Sequence, residues 1–184
     1  ALLLLLASDK DDAVRREAVR GVQVTAAADD LPALLDLLAA PRDPGDMPAI
    51  ENAVIAVAQR TLPEAQRADL VLKRLEGAQD KAVRLALLRV AGSLPAPATL
   101  AALRAALEDA DADARLTALA ALAAWPSQEP LDDLRAAVLN PKSDAERDRA
   151  FEGYVRQLRA ALALPMRDRV QRYKEAMTLA RSAG

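Results

Sequence analysis

The sequence predicts an all-α protein, a right-handed α–α superhelix that forms a solenoid of about five helical hairpins plus a terminal helix. Three observations support this fold class. The 184 residues are 52% hydrophobic but only 2% aromatic, so Ala and Leu, both strong helix formers, supply most of the apolar surface. A short charged motif recurs at a nearly constant spacing. Proline and glycine breakers separate the apolar helical stretches that lie between its copies.

The recurring motif begins with Asp and places an Arg three or four residues later. Its four clear copies contain the following pairs: Asp12 and Arg15, Asp80 and Arg84, Asp111 and Arg115, and Asp144 and Arg147. A weaker copy that starts at Asp46 has Glu51 in the Arg column. Successive members of this column lie 36, 33, 31 and 32 residues apart. Each Asp is placed to cap a helix, and apolar residues at helical spacing follow it, so each copy predicts the start of an amphipathic helix.

A second set of apolar helical segments lies between the motif helices. The repeating unit is therefore helix A, a short loop and helix B, and stacked units would share one continuous core. We expect a single array over residues 1–184, with a terminal helix at 166–182. The predicted repeats span roughly residues 1–28, 29–62, 63–95, 96–126 and 127–160. Because both ends look uncapped, we expect the array to be a fragment of a longer chain.

The pattern Asp-x-x-Val-Arg-x-x-Ala at the head of each second helix resembles HEAT-like repeats of the short bacterial kind named after phycobilin lyases. The resemblance covers residues 1 to about 160. It implies that the Asp and Arg residues of the motif form a ladder of hydrogen bonds between neighbouring repeats. Glu51 interrupts the Arg column, so the ladder is expected to be weak at the second repeat. The alternative is that the Arg residues form a row that binds an anionic ligand.

Residues for metal or nucleophilic chemistry are scarce. The chain has no Cys and no His, which excludes the usual zinc sites and nucleophiles that depend on them. Asp109, Asp111 and Asp113 alternate as in a calcium loop, but the required Gly and distal Glu are missing. We therefore expect no metal, no cofactor and no enzymatic activity. Leu2 to Leu6 are too few to span a bilayer, so no membrane insertion is expected, and nothing indicates a compartment.

The charge distribution bears on the class of partner. The net charge is −2, and residues 1–140 are acidic overall, so nucleic-acid binding is not expected. Residues 141–184 carry 10 basic and 6 acidic side chains, which would suit an acidic partner or form a solvated helix face. Some HEAT-like proteins are alkylpurine DNA glycosylases that use aromatic residues in a basic groove. Here Trp125 follows a helix end beside Pro126, where it is expected to cover a loop.

A partner protein or peptide is expected to bind the concave face lined by the second helices, at positions that vary between repeats. The candidate residues are Arg16, Arg20, Asn52, Leu85, Arg89 and Leu116. If exposed, Leu85 and Leu116 would form an apolar contact site, and the alternative is that they pack under the next repeat. The sequence therefore favours a protein-interaction scaffold. The alternative function is an architectural spacer that binds nothing.

Overall fold

A computed structural model describes residues 2–181 of the chain, and the terminal-helix prediction at Ser182 lies outside them. Within these residues the structure has eleven α-helices and no β-strand. The helices are α1 (Leu2–Leu6), α2 (Asp12–Thr25), α3 (Leu31–Ala39), α4 (Met47–Thr61), α5 (Asp69–Gly77), α6 (Lys81–Gly92), α7 (Pro97–Ala106), α8 (Ala112–Ala123), α9 (Leu131–Leu139), α10 (Asp144–Ala160) and α11 (Met166–Arg181). Short helices alternate with longer ones from α1 to α10, and the predicted all-α class is confirmed.

Polar caps set the starts of four of the long helices. Asp80 accepts a hydrogen bond from the backbone N–H of Val83 at the start of α6, and Asp111 caps α8 as predicted by its motif. The other two caps correct the prediction by one residue. Asp11, rather than Asp12, caps α2, and Ser143, rather than Asp144, caps α10. Asp12 and Asp144 occupy the first helical position, where a negative charge interacts favourably with the helix dipole.

The first of two compact units comprises residues 1–99. Its hairpins are α1–α2, α3–α4 and α5–α6. The long helices also pack on one another, because α4 contacts both α2 and α6. The core is aliphatic: Leu34, Leu38, Ala53, Val54 and Val57 are almost completely buried. Small side chains such as Ala53 let helix backbones approach closely, which explains how a core with few aromatic residues can still be tightly packed.

The second unit comprises residues 100–184, so the division falls within α7. Here α10 packs against both α8 and α9, and α11 packs on α10. Leu103, Leu122, Leu134 and Leu158 are fully buried, together with Tyr154, the largest of the fully buried side chains. The two core helices α8 and α10 supply the frame on which charged side chains of the unit are positioned.

Candidate protein-binding surface

In the first unit, a buried arginine joins two consecutive hairpins. Arg15 of α2 is only 4% exposed, and its Nε donates to Oδ2 of Asp46 at 2.6 Å. One of its terminal nitrogens donates to the backbone carbonyls of Asp9 and Lys10, both at 3.2 Å. The hydrogen bond with Asp46 raises the pKa of the Arg15 guanidinium. Arg15 therefore ties the α1–α2 loop to the residue that precedes α4.

The second unit repeats this arrangement. Arg115 of α8 donates through Nε to Oε1 of Glu146 at 2.9 Å and through a terminal nitrogen to the same oxygen at 2.6 Å. Its other terminal nitrogen donates to the carbonyls of Asp109 and Ala110 at 2.8 and 2.9 Å. The hydrogen bond from Arg115 holds the pKa of the buried Glu146 carboxyl below its usual range. In both units an arginine thus links the loop before its own helix to the start of the next long helix.

Glu51, which was expected to weaken the ladder, instead forms a link of reversed charge. It is 7% exposed on α4 and accepts from Arg89 of α6, with Nε at 3.0 Å and a terminal nitrogen at 2.6 Å. This corrects the expectation for the second repeat. The negative charge in the arginine column is stabilised because α6 supplies the positive one, and the hydrogen bond from Arg89 to Glu51 raises the pKa of Arg89.

The acidic partners of the ladder are not the predicted ones. Asp46 and Glu146, each 31 residues after its arginine, replace the expected Asp12 and Asp144. Asp12 pairs with Arg15 and Arg16 on its own helix. The recurrent spacing of 31 residues, close to the repeat period, is the one signal in the sequence that could have revealed these partners.

The remaining ladder residues, Arg84 and Arg147, lie half-buried on α6 and α10. Asp80 and Asp111 accept backbone hydrogen bonds at the starts of their own helices. The motif therefore caps helices at Asp80 and Asp111 and connects hairpins at Arg15 and Arg115.

The predicted partner-binding residues lie on the long helices with different degrees of exposure. Arg16 and Arg20 are exposed on α2 and pair with Asp12 and Glu17 of the same helix. Asn52 is exposed on α4. The ion pairs of Arg16 and Arg20 lie on the outer surface of α2, where such pairs contribute little to stability.

The two apolar candidates, Leu85 on α6 and Leu116 on α8, are each half-buried. Arg89, by contrast, is held by Glu51, although 47% of its side chain is exposed. In the first unit the candidate surface thus combines accessible polar groups with one partly accessible leucine, and in the second unit it consists of Leu116.

A cleft of about 300 Å³ in the second unit was not anticipated from the sequence. Its charged lining residues form pairs: Arg104 with Asp133, Lys142 with Glu108, and Arg115 with Glu146. Because each of these charges is compensated by a neighbour, the cleft offers little net attraction to an ionic ligand.

Neither a metal cluster nor an exposed tryptophan is found among residues 2–181. No group of three or more acidic side chains in this range is arranged to hold a metal ion. Trp125 is 5% exposed and its indole N–H lies 3.4 Å from Oε2 of Glu129. The backbone carbonyl of Trp125 accepts from the buried Gln157 amide at 2.7 Å. Trp125 therefore packs inside the loop after α8.

Comparison with known families agrees with this architecture. Residues 68–154, from the start of α5 into α10, match the family model of HEAT repeats. This stretch of the chain is similar to HEAT repeats. The predicted family and the solenoid class are thereby confirmed, and HEAT repeats are generally protein-interaction or scaffold modules. No curated protein matches the chain. None of the helices within residues 2–181 has the length and hydrophobicity needed to cross a membrane.

Proposed function

We propose that this HEAT-repeat chain is a non-catalytic scaffold that binds a protein or peptide along the outward face of its long helices. The observation that carries the proposal is the contrast between two sets of positions on those helices. The inner positions Arg15 and Arg115 form the same arginine–carboxylate link and Glu51 forms a charge-reversed one. The outer positions, by contrast, change from Arg16 to Asn52 to Leu85. Inner positions that repeat keep the hairpins in register, and outer positions that differ can encode specificity.

Partial exposure of Leu85 and Leu116 supports protein recognition over an ionic ligand. A half-buried leucine gains free energy when a partner covers the rest of its surface, at about 25 cal/mol per Å². Among the charged candidates, Arg16, Arg20 and Arg89 already pair with carboxylates of the chain. An anionic ligand would have to displace those carboxylates. An extended peptide or an amphipathic helix therefore suits this surface better than a small anion.

The proposal is tested with the intact chain as bait for proteins of its source cell, identified by mass spectrometry after cross-linking. The variant Leu85→Asp/Leu116→Asp adds charge to the proposed surface. The matched control, Leu139→Asp, alters a leucine that is 45% exposed on the short helix α9. Circular dichroism establishes that both variants remain helical.

We expect a partner that the wild type and the α9 control retain and the double variant loses. Its cross-links should map to the long helices. Equal loss in both variants, or no specific partner at all, would contradict the proposal and leave the architectural spacer as the better explanation.

A further inference from the structure

The last helix, α11, presents an apolar stripe on the side that faces away from its neighbours. Met166, Val170 and Met177 are 69%, 44% and 58% exposed, and Tyr173 is half-buried. With Ala180 they occupy positions spaced alternately by four and three residues. This spacing is the heptad pattern with which one helix packs along another.

The opposite side of α11 holds the helix on its unit through polar contacts. Arg172 donates to Oδ1 of Asp132 at 2.7 Å, and Glu175 accepts from Arg135, in both cases joining α11 to α9. Successive residues of a helix are rotated by about 100° around its axis. Arg172 and Glu175 therefore lie, on average, roughly 150° around the axis from the apolar stripe. Docking on α9 therefore leaves the stripe uncovered.

Three of the residues that flank the stripe are basic, and Ala176, on the same side as Arg169, is buried. Arg167 and Lys174 border it on one side and Arg169 on the other. The acidic residues of α11, Asp168 and Glu175, lie toward the docked side. No ion pair joins Arg167, Arg169 or Lys174 to another residue of the described range 2–181. The apolar stripe is thus bordered by three positive charges that the rest of the unit does not neutralise.

We propose that α11 binds an amphipathic helix of another protein whose apolar stripe is flanked by acidic residues. Packing of heptad positions buries Val170, Tyr173 and Met177, and acidic flanks pair with Arg167, Arg169 and Lys174. A second copy of α11 is disfavoured, because both parallel and antiparallel pairing would bring like charges together. The residues of this surface differ from those of the proposed function, and the inference does not rest on that function.

The probe is a fluorescein-labelled designed helix of four heptads with Leu at the two core positions and Glu at both flanking positions. A second probe carries Lys at the flanking positions. The acidic peptide repels copies of itself and stays monomeric at the low concentration used. Binding to the full chain is measured by fluorescence anisotropy at about 50 mM salt, where charge pairing is weakly screened.

We expect the acidic probe to bind at least about tenfold more tightly than the basic one. Val170→Glu/Met177→Glu should abolish that binding. The control Val24→Glu/Leu139→Glu, at positions 72% and 45% exposed on other helices, should not. Arg167→Glu/Lys174→Glu should reverse the preference toward the basic probe, a response that unfolding would not produce. Leu85→Asp/Leu116→Asp should leave probe binding unchanged, which separates this site from the scaffold face.

Three outcomes would overturn the inference. One is equal binding of the two probes, and another is binding of the acidic probe that survives Val170→Glu/Met177→Glu. The third is self-association of the chain in sedimentation that the same double variant abolishes, because a second copy would then be the occupant of the stripe.

Discussion

Arg15 and Arg115 show why arginine rather than lysine serves at the link between hairpins. Each donates from one edge of the guanidinium to a carboxylate and from another nitrogen to two backbone carbonyls of the preceding loop. The planar group presents these donors in fixed directions, whereas an ammonium group is a single point charge. One side chain therefore binds the loop and positions the next helix.

The lowered pKa of Glu146 makes the second unit sensitive to acid. Arg115 stabilises the charged carboxylate in the folded state, so the folded pKa lies below the unfolded value. The stabilisation is complete above about pH 4.3, the ordinary pKa of glutamate, and is lost as the pH falls through the folded value. Urea unfolding between about pH 7 and pH 3 should show a smaller loss of stability in Glu146→Gln than in the wild type.

The matched control is Glu152→Gln, which removes an exposed carboxylate from the same helix. An acid response of Glu146→Gln equal to that of the wild type would show that the pair with Arg115 does not couple to folding.

Gly153 lies at a close approach between helices in the second unit. A Cβ at this position would lie 2.7 Å from Cβ of Ala123 and 3.1 Å from Cδ2 of Leu134. Helix propensity alone favours Gly→Ala by up to about 1 kcal/mol, but overpacking of a closed core costs about 1–3 kcal/mol. We expect Gly153→Ala to lower the unfolding free energy by about 1–2 kcal/mol.

Gly77 provides the control for this substitution. It ends α5 and is exposed, and a Cβ added there would have no neighbouring atom within 4 Å. Gly77→Ala should leave stability unchanged or raise it by up to about 1 kcal/mol. Calorimetric melting of the two variants gives the comparison, and a neutral Gly153→Ala would mean that α8 and α10 can separate at little cost.

At the scale of elements, α10 completes the end of α8. The last carbonyls of a helix lack intrahelical donors, and the Gln157 amide donates to those of Leu122 and Ala123 at 3.2 and 3.4 Å. It also donates to the carbonyl of Trp125, just beyond the helix, at 2.7 Å. Gln157→Leu keeps the volume but removes the donor. We expect a loss of about 1–3 kcal/mol in urea unfolding, because buried acceptors are left unpaired.

The exposed Gln79, substituted to Leu, controls for the change of residue type. A Gln157→Leu variant as stable as this control would indicate that water replaces the amide at the end of α8.

Helix α11 is held by a small contact area and by ion pairs. Ala176 is the one residue of Met166–Ala180 that is buried, whereas α10 buries six residues in the same unit. Exposed ion pairs weaken in salt, so α11 should exchange its amide hydrogens faster than α10, and faster still at about 1 M salt. Hydrogen exchange by mass spectrometry measures both helices at once.

The variant Arg135→Ala should reproduce the effect of salt on α11, because it removes the link to Glu175. The exchange of α10 serves as the internal reference. Equal protection of α10 and α11 from hydrogen exchange at high salt would show that α11 is not held more loosely than α10.

At the scale of the whole molecule, the charge distribution governs encounters with polyanions. The chain has a net charge of −2, and the positive charges of its ladder at Arg15 and Arg115 are paired with carboxylates. We expect no binding to a 20-base-pair duplex at about 50 mM salt, measured by fluorescence anisotropy. A binding constant that falls steeply with salt would contradict this expectation and revive the glycosylase-like alternative.

The class and the spacing of the helices follow from the amino-acid sequence alone. Capping residues, apolar periodicity and breakers act within one or two turns, so residues such as Asp80 and Pro97 mark helix starts without knowledge of the fold. Even the apolar stripe of α11 is visible as Val170, Tyr173 and Met177 at helical spacing. Features that depend only on residues of the same helix could therefore be predicted from the sequence.

Which side chains meet between helices depends on the tertiary structure. The arginine of the motif was evident, but its partners Asp46 and Glu146 depend on how consecutive hairpins stack, as does the charge-reversed pair of Glu51 and Arg89. For the same reason the orientation of α11, with its polar side docked and its apolar side outward, could not be predicted. Its ion pairs span 40 residues of sequence, and packing at that separation is set by the stacked helices rather than by any local preference.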